Sequence, residues 1–355
     1  MKHDWKYIKL GDIISPAKVV RNGANKKFPV LSITMRDGIV FQSSRFKKSI
    51  ASVDTSDYKV VYNGQLVIAF PIDEGLIYTQ DIVDAGIMSP AYNVWNVDFL
   101  EIDRKFLVLY LHCPFSMAYY KSKLRGTTMR RRSMPKEDLL NMPLPVPSFS
   151  VQQSIVSELD KINELIRLKK EQLNDYDKLS QSIFYEMFGD PVVNEKGWEV
   201  KKFADLYKLK SGDSLSAKNF VEGEIPVYGG NGISGYHNDF NMDGDFIIIG
   251  RVGVYCGNVR EVHGKFWLTD NAFQLFYNRE IQYPCFIHYL LEILDLHQYA
   301  NAAAQPVISN LTLKDVEIII PPLPLQQAFA QRIKLIEQQK AEIQNTIADL
   351  ETLLA

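Results

Sequence analysis

Pro147-Ser148-Phe149-Ser150-Val151-Gln152-Gln153 recurs as Pro321-Pro322-Leu323-Pro324-Leu325-Gln326-Gln327, a shift of 174 from Gln152 to Gln326. The same shift, without gaps, superimposes Met134 on Ile308, Leu139 on Leu313, Met142 on Val316, Leu144 on Ile318 and Val146 on Ile320. The start of the unit recurs as well. Trp5-Lys6-Tyr7-Ile8-Lys9-Leu10-Gly11-Asp12-Ile13 answers Trp198-Glu199-Val200-Lys201-Lys202-Phe203-Ala204-Asp205-Leu206. Between these anchors Phe28-Pro29-Val30 echoes Ile225-Pro226-Val227, and Asn63-Gly64-Gln65-Leu66-Val67-Ile68 echoes Asp243-Gly244-Asp245-Phe246-Ile247-Ile248. The shifts differ from anchor to anchor, so loops have been gained and lost: one scaffold carries two divergent surfaces.

After each proline segment the pattern becomes a heptad. In the first, Ile155, Leu159, Ile162, Ile166, Lys169, Leu173, Tyr176, Ser180, Ile183 and Met187 alternate at spacings of four and three. The second repeats it with Phe329, Ile333, Ile336, Lys340, Ile343, Ile347, Leu350 and Leu354. This is the seam of a coiled coil. Phe188-Gly189-Asp190-Pro191 closes the first helix with a glycine cap and a proline stop. At about 1.5 Å per residue the rods measure roughly 55 and 45 Å. Each helix lying on its own domain is the alternative. The narrow seams, with Lys169 and Lys340 in adjacent layers, favour the two helices packing on each other.

Residues 1–147 and 195–323 read as globular, and 148–190 and 324–355 as the helices. The globular parts are rich in β-branched and aromatic runs such as Lys59-Val60-Val61-Tyr62 and Phe246-Ile247-Ile248-Ile249, separated by Gly, Asn and Asp turns. Each has one helical stretch, Phe106 to Lys123 and Pro284 to Tyr299. The expected class is α+β with a dominant curved sheet.

Composition bounds the chemistry. With 40 Lys and Arg against 42 Asp and Glu, the net charge is −2, so phosphate binding would have to come from local patches or from partners. Cys113, Cys256 and Cys285 are odd in number and far apart, which indicates neither a disulfide framework nor a zinc site and fits a reducing cytoplasm. No apolar run reads as a signal peptide or membrane span.

Gly230-Asn231-Gly232-Ile233-Ser234-Gly235 spells the dinucleotide fingerprint, but turn-rich Tyr236 to Asn241 follows where a helix is required. The loop reads instead as backbone approaching a ligand or another chain. Asp190, Glu199 and Lys201 could be forced into a metal-nuclease pattern; the matching positions of the first unit keep neither, Lys6 standing for Glu199 and Ile8 for Lys201. No catalytic or metal residue is assigned. His112, His237 and His263 are isolated, and no methyltransferase loop is present. Lys121, Lys123, Arg125, Arg130, Arg131 and Arg132, interleaved with Gly126, Thr127, Thr128 and Ser133, form a run without an acid, suited to phosphate and guanine edges. A solvated charge run is its plain alternative. The counterpart in the second unit, Ala300 to Ser309, is uncharged, so contacts there fall to Tyr228, Gly229, Gly230, Asn231, Gly232, Arg251, Asn271 and Gln305.

These residues carry a resemblance over essentially the whole chain. Two variable domains, each ending in a segment like Ile308-Ser309-Asn310-Leu311 to Gln326-Gln327 and passing into a long helix that closes with Phe184-Tyr185-Glu186-Met187-Phe188-Gly189-Asp190-Pro191, resemble the specificity subunit of type I restriction-modification systems. Phe246 to Gly253 and Leu268 to Phe273 resemble the sheet core of its target recognition domains. The first unit departs from the pattern at Arg130 to Pro135. The resemblance implies two target recognition domains, each reading one half of an asymmetric bipartite double-stranded DNA target. It implies that the helices form an antiparallel two-helix coiled coil, Ile155, Leu159, Ile162, Ile166, Leu173 and Ile183 against Phe329, Ile333, Ile336, Ile343, Ile347 and Leu350. This spacer docks two methyltransferase subunits, with a translocating restriction subunit as an optional component. The chain itself would be non-catalytic and bind no cofactor, S-adenosylmethionine sitting on the partner. A protein-only coiled-coil adaptor and a stand-alone restriction or methylation enzyme are the alternatives.

Overall fold

Each repeat closes on itself through a two-stranded antiparallel ribbon that brings its first and last strands together. Lys6–Lys9 pairs with Pro143–Val146, Lys6 opposite Val146 and Lys9 opposite Pro143. Glu199–Lys202 pairs with Glu317–Ile320 in the same manner, Glu199 opposite Ile320. The chain therefore leaves each globular part beside the point where it entered. A matched backbone bond follows each ribbon: Leu10 N donates to Met142 O, and Phe203 N to Val316 O, both at 2.8 Å.

The structure is a computed structural model and describes residues 5–23, 28–35, 37–45, 54–125, 133–301 and 305–354. The chain forms two compact units, one running to Arg167 with the residues from Ala348 onward, the other Leu168–Ile347. In the second, a six-stranded mixed sheet has the order Lys208–Ser211, Ala272–Phe276, Met242–Gly250, Val259–Leu268, Ile225–Gly229, Gly232–His237. One pair is parallel, Val227 against Trp267. In the first unit the strands are shorter and the sheet is divided. Ile14–Pro16, Asn93–Val97, Leu66–Ile68 and Ile77–Thr79 make one four-stranded sheet, and Leu31–Thr34 with Gly38–Phe41 and Lys59–Tyr62 with Ala85–Met88 make two pairs.

The expected helical stretch Phe106 to Lys123 is two helices, Arg104–His112 and Pro114–Lys123. Pro114 has no N–H to continue the first, and it forces Cys113 into the extended region, ψ 158°. Likewise Pro284–Ile293 is one helix, after which Asp295, φ 43°, turns the chain into the short helical turn Leu296–Tyr299.

The two long helices are Phe149–Phe188 and Leu323–Leu354, of 40 and 32 residues. The heptad reading agrees with burial: Ile166, Phe329, Ile333, Ile336, Ile343 and Ile347 are buried, and Ile155, Leu159, Ile162, Leu173, Ile183 and Leu350 are half-buried. Within the second unit the helices run antiparallel, because Lys340 lies 2.8 Å from Asp177 and Arg332, eight residues earlier, lies 3.9 Å from Glu186. Asp177 and Glu337 hold the Lys340 ammonium, while Lys169 bonds Gln172. At the end of the first helix the buried positions are Phe184 and Phe188, one residue on from Ile183 and Met187. There the helix faces Phe286 as well as Phe329, with ring centroids 4.8–5.8 Å apart, so the seam widens into a three-sided core. Gly189, φ 77°, then ends the helix.

Each long helix is tied to its domain by a buried glutamine from the repeated segment. Gln152 Oε1 accepts from Asp103 N at 2.7 Å, and its Nε2 donates to Glu101 O and Pro147 O, both at 2.9 Å. Gln326 Oε1 accepts from Tyr283 N at 2.8 Å, and its Nε2 donates to Ile281 O at 3.0 Å and Pro321 O at 2.8 Å. Asp103 and Tyr283 are the residues preceding the helices Arg104–His112 and Pro284–Ile293, so the carboxamide fixes a domain helix and a long helix at once. In the second unit His288 adds a clamp, its two ring nitrogens 3.5 Å from Glu261 and 3.3 Å from Glu292. Burial of the ring disfavours its charge, but hydrogen bonding and charge from Glu261 and Glu292 outweigh this and raise its pKa to about 9.

Gln152→Ala and Gln326→Ala each leave three backbone groups, one of them in a fully buried bond, without this partner. Each is expected to cost roughly 2–4 kcal/mol, read as earlier unfolding and faster amide exchange at Asp103 or Tyr283, with the exposed Gln331→Ala as an unaffected control. Because the His288 pKa is raised on folding, its stabilisation is complete below about pH 6.5 and is lost as pH climbs towards about 9. The second unit of the wild type should therefore lose on the order of 2 kcal/mol over that window in chemical denaturation. His288→Gln should show no such loss.

Candidate nucleic-acid interface

The glycine-rich stretch of the second unit is a hairpin. Tyr228 and Gly229 end one strand, Gly232 opposite Gly229 begins the next, and Gly230-Asn231 connect them. Gly232 takes φ +99°, where a side chain would be strained. Gly230 is small for a packing reason: a Cβ there would lie 2.8 Å from Val252 O and 3.1 Å from Asn271 O, and one on Gly250 would lie 2.3 Å from Gly230 O. The backbone that this loop approaches is thus the chain's own. The strand Gly232–His237 follows where a dinucleotide site needs a helix.

This contact gathers most of the residues expected in the second domain. Arg251 N donates to Asn271 O at 2.9 Å, and Arg251 O accepts from Ile308 N at 3.0 Å. The Arg251 guanidinium sits 5.5 Å over the Phe273 ring and donates to Ser211 Oγ and Asp270 O, each at 3.3 Å. Gly253 N donates to Pro306 O at 2.9 Å, which brings the exposed Gln305 alongside. Tyr228, Asn231 and Gly232 also line a groove of about 490 Å³ with Arg260, Glu261 and His288. Arg260 was not legible as a site residue, since it stands alone inside a β run; only strand pairing places it beside Asn231 O, at 3.5 Å. The cluster can donate hydrogen bonds from guanidinium and amide groups, as base edges and phosphates require.

In the first unit Thr127, Thr128, Arg130, Arg131 and Arg132 lie outside the described residues. Lys121 is exposed on the last turn of Pro114–Lys123. Lys123 and Arg125 approach Asp138 to 3.8 and 3.2 Å, and Lys123 also lies 5.7 Å over the Tyr119 ring. Arg125 and Ser133 exchange two backbone bonds of 3.1 Å. A run without an acid in sequence therefore meets one in space, because the helix Lys136–Leu140 folds against it. Lys123 and Arg125 keep their outer faces to solvent beside the largely buried Asp138.

The residues of the nuclease-like pattern serve local structure. Asp190 Oδ1 accepts from Val192 N and Val193 N, and Lys201 pairs with Glu199 at 3.1 Å. Among the described residues no three His, Cys, Asp or Glu side chains are grouped to hold a metal ion, and no helix is long and apolar enough to cross a membrane.

The family model of the type I restriction modification DNA specificity domain matches the chain twice, over residues 2–175 and 195–352. The type I restriction enzyme EcoprrI specificity subunit of Escherichia coli is 30% identical over 241 residues, 63% of this chain and 58% of that one; the chain thus spans less than two thirds of that relative. The MjaVIII specificity subunit of Methanocaldococcus jannaschii is 21% identical over 385 residues, covering 94% and 86% of the two chains. Two solved structures share the fold. A chain from the structural work on complex assembly and conformational transition of the type I R-M system superimposes with a TM-score of 0.66 at 18% identity, covering 99% of this chain and 95% of that one. The S subunit from M. genitalium does so with 0.53 at 16% identity, covering 99% and 94%. With the repeated domain–helix unit, its antiparallel helix pair and two matches to one specificity domain, the chain belongs to the family of type I restriction-modification DNA specificity subunits.

Proposed function

We propose that this chain is the non-catalytic DNA-reading subunit of a type I restriction-modification complex, each globular part reading one half of a bipartite, asymmetric target. The observation that carries this is the double match to a DNA specificity domain on a chain whose two copies keep one frame but carry different surfaces. The Arg251, Asn271 and hairpin cluster of the second copy has no counterpart in composition in the first, where the Lys121 to Arg132 run is cationic. Two different surfaces on one frame suit two different half-sites.

The long helices serve in this reading as the spacer between half-sites and as the dock for two methyltransferase subunits. S-adenosylmethionine and the methyl-transfer chemistry belong to those subunits, and cleavage belongs to a translocating subunit where one is present. The purified chain alone is then expected to leave DNA unmethylated and uncut.

Exchanging residues 198–320 for the equivalent domain of a relative tests the modular reading. Sequencing of methylated adenines should show one half of the motif replaced and the other unchanged. A folded, active chimera that keeps both halves would overturn it.

A further inference from the structure

The first unit holds a second cluster of cations besides the Lys121 to Arg132 run. Lys18, Lys59 and Lys136 line a groove of about 240 Å³ with Pro16, Asn93 and Trp95. Its lining contains no carboxylate. Lys59 is half-buried, its ammonium donating to Tyr92 O at 2.5 Å. Lys136 lies 5.5 Å over the Trp95 ring, and Trp95 is itself buried, its indole N–H without an acceptor among the described residues. The neighbouring Arg21 is engaged by Asp57 at 2.7 Å. Burial, then the charge of Arg21, holds the Lys59 pKa below its ordinary value.

The position of this groove on the repeat gives it meaning. Lys18 stands eight residues after Leu10 as Ser211 stands eight after Phe203, and Leu10 and Phe203 make the matched bonds to Met142 O and Val316 O. The ladder Ile14–Pro16 against Asn93–Val97 continues through Ala17 N to Val94 O at 3.0 Å, which sets Lys18 across from Asn93. In the second unit the corresponding pair is Ser211 across from Phe273, the two residues that hold the Arg251 guanidinium. Each unit thus presents cations stacked on or beside an aromatic ring at one place on the common frame, although the cations come from different positions: 18, 59 and 136 in one, 251 in the other.

We propose that the Lys18–Lys59–Lys136 groove is a phosphate seat for the backbone of duplex DNA on the first domain. It deepens the reading of the chain as a DNA-specificity subunit and rests on it. Three ammonium groups offer point charges without the planar fork that reads guanine, so the seat positions the duplex rather than specifying bases.

The test is the full chain assembled with its methyltransferase subunits, wild type against Lys18→Met/Lys136→Met, titrated with labelled target and unrelated duplexes at several salt concentrations. Both lysines are exposed, and Lys59, which bonds the backbone, is left intact, so the melting temperature serves as the folding control. Loss of two phosphate contacts should lower the magnitude of the log–log salt slope by about 2 on both duplexes. The wild type's advantage should then shrink about tenfold between about 50 and 200 mM salt. A variant with unchanged affinity and slope sinks the seat while leaving the DNA-reading function intact. Weakening confined to the target duplex, with the slope unchanged, would make these lysines base readers and also overturn it. So would a mononucleotide that binds the wild type and not the variant, since the groove would then be a small-ligand pocket. A wild-type complex that binds neither duplex overturns the function itself.

Discussion

A buried carboxamide holds the architecture together. Gln152 and Gln326 each accept one backbone N–H and donate to two backbone carbonyls, and the groups they satisfy belong to the end of a domain strand region, the start of a domain helix and the start of a long helix. Glutamine has the reach and the donor–acceptor pair this requires; glutamate would set an oxygen against two carbonyls, and an apolar residue would leave all three groups bare. The angle at which each helix leaves its domain is thereby set by hydrogen bonds rather than by a flexible link. The ribbon of first and last strands does the same for the chain's entry and exit, through Lys6–Lys9 with Pro143–Val146 and its counterpart Glu199–Lys202 with Glu317–Ile320.

A frame fixed in this way leaves other parts of each domain surface free to diverge. In the second unit a hairpin tip is pressed on a loop by Gly230 and Gly250, with Arg251 stacked on Phe273. In the first, Lys18, Lys59 and Lys136 gather around Trp95, Lys18 at the register of Ser211. With a net charge of −2, cations for DNA must come from local clusters such as this groove, while acids such as Asp177, Glu186 and Glu337 pair with lysines and arginines along the helices.

Much of the helical part was readable because a heptad is a local pattern: every seam position read from spacing is buried or half-buried. Where burial departs from the heptad spacing, a third element is the cause. Phe184 and Phe188 replace Ile183 and Met187 as the buried pair because Phe286 arrives from another part of the chain. The basic run, unopposed in sequence, meets Asp138, and nothing adjacent in sequence marks Arg260 or the three groove lysines.

The sequence by itself determined the duplication, the two helices with their seam and caps, and the family, since these rest on residues spaced a few positions apart or repeated at one shift. The tertiary structure alone decided which side chains share a surface. Lys18, Lys59 and Lys136 are separated by 41 and 77 residues and meet only because antiparallel strands and a short helix close over Trp95. Proximity of that kind is set by strand register and packing, which depend on the whole buried core rather than on any segment of the chain.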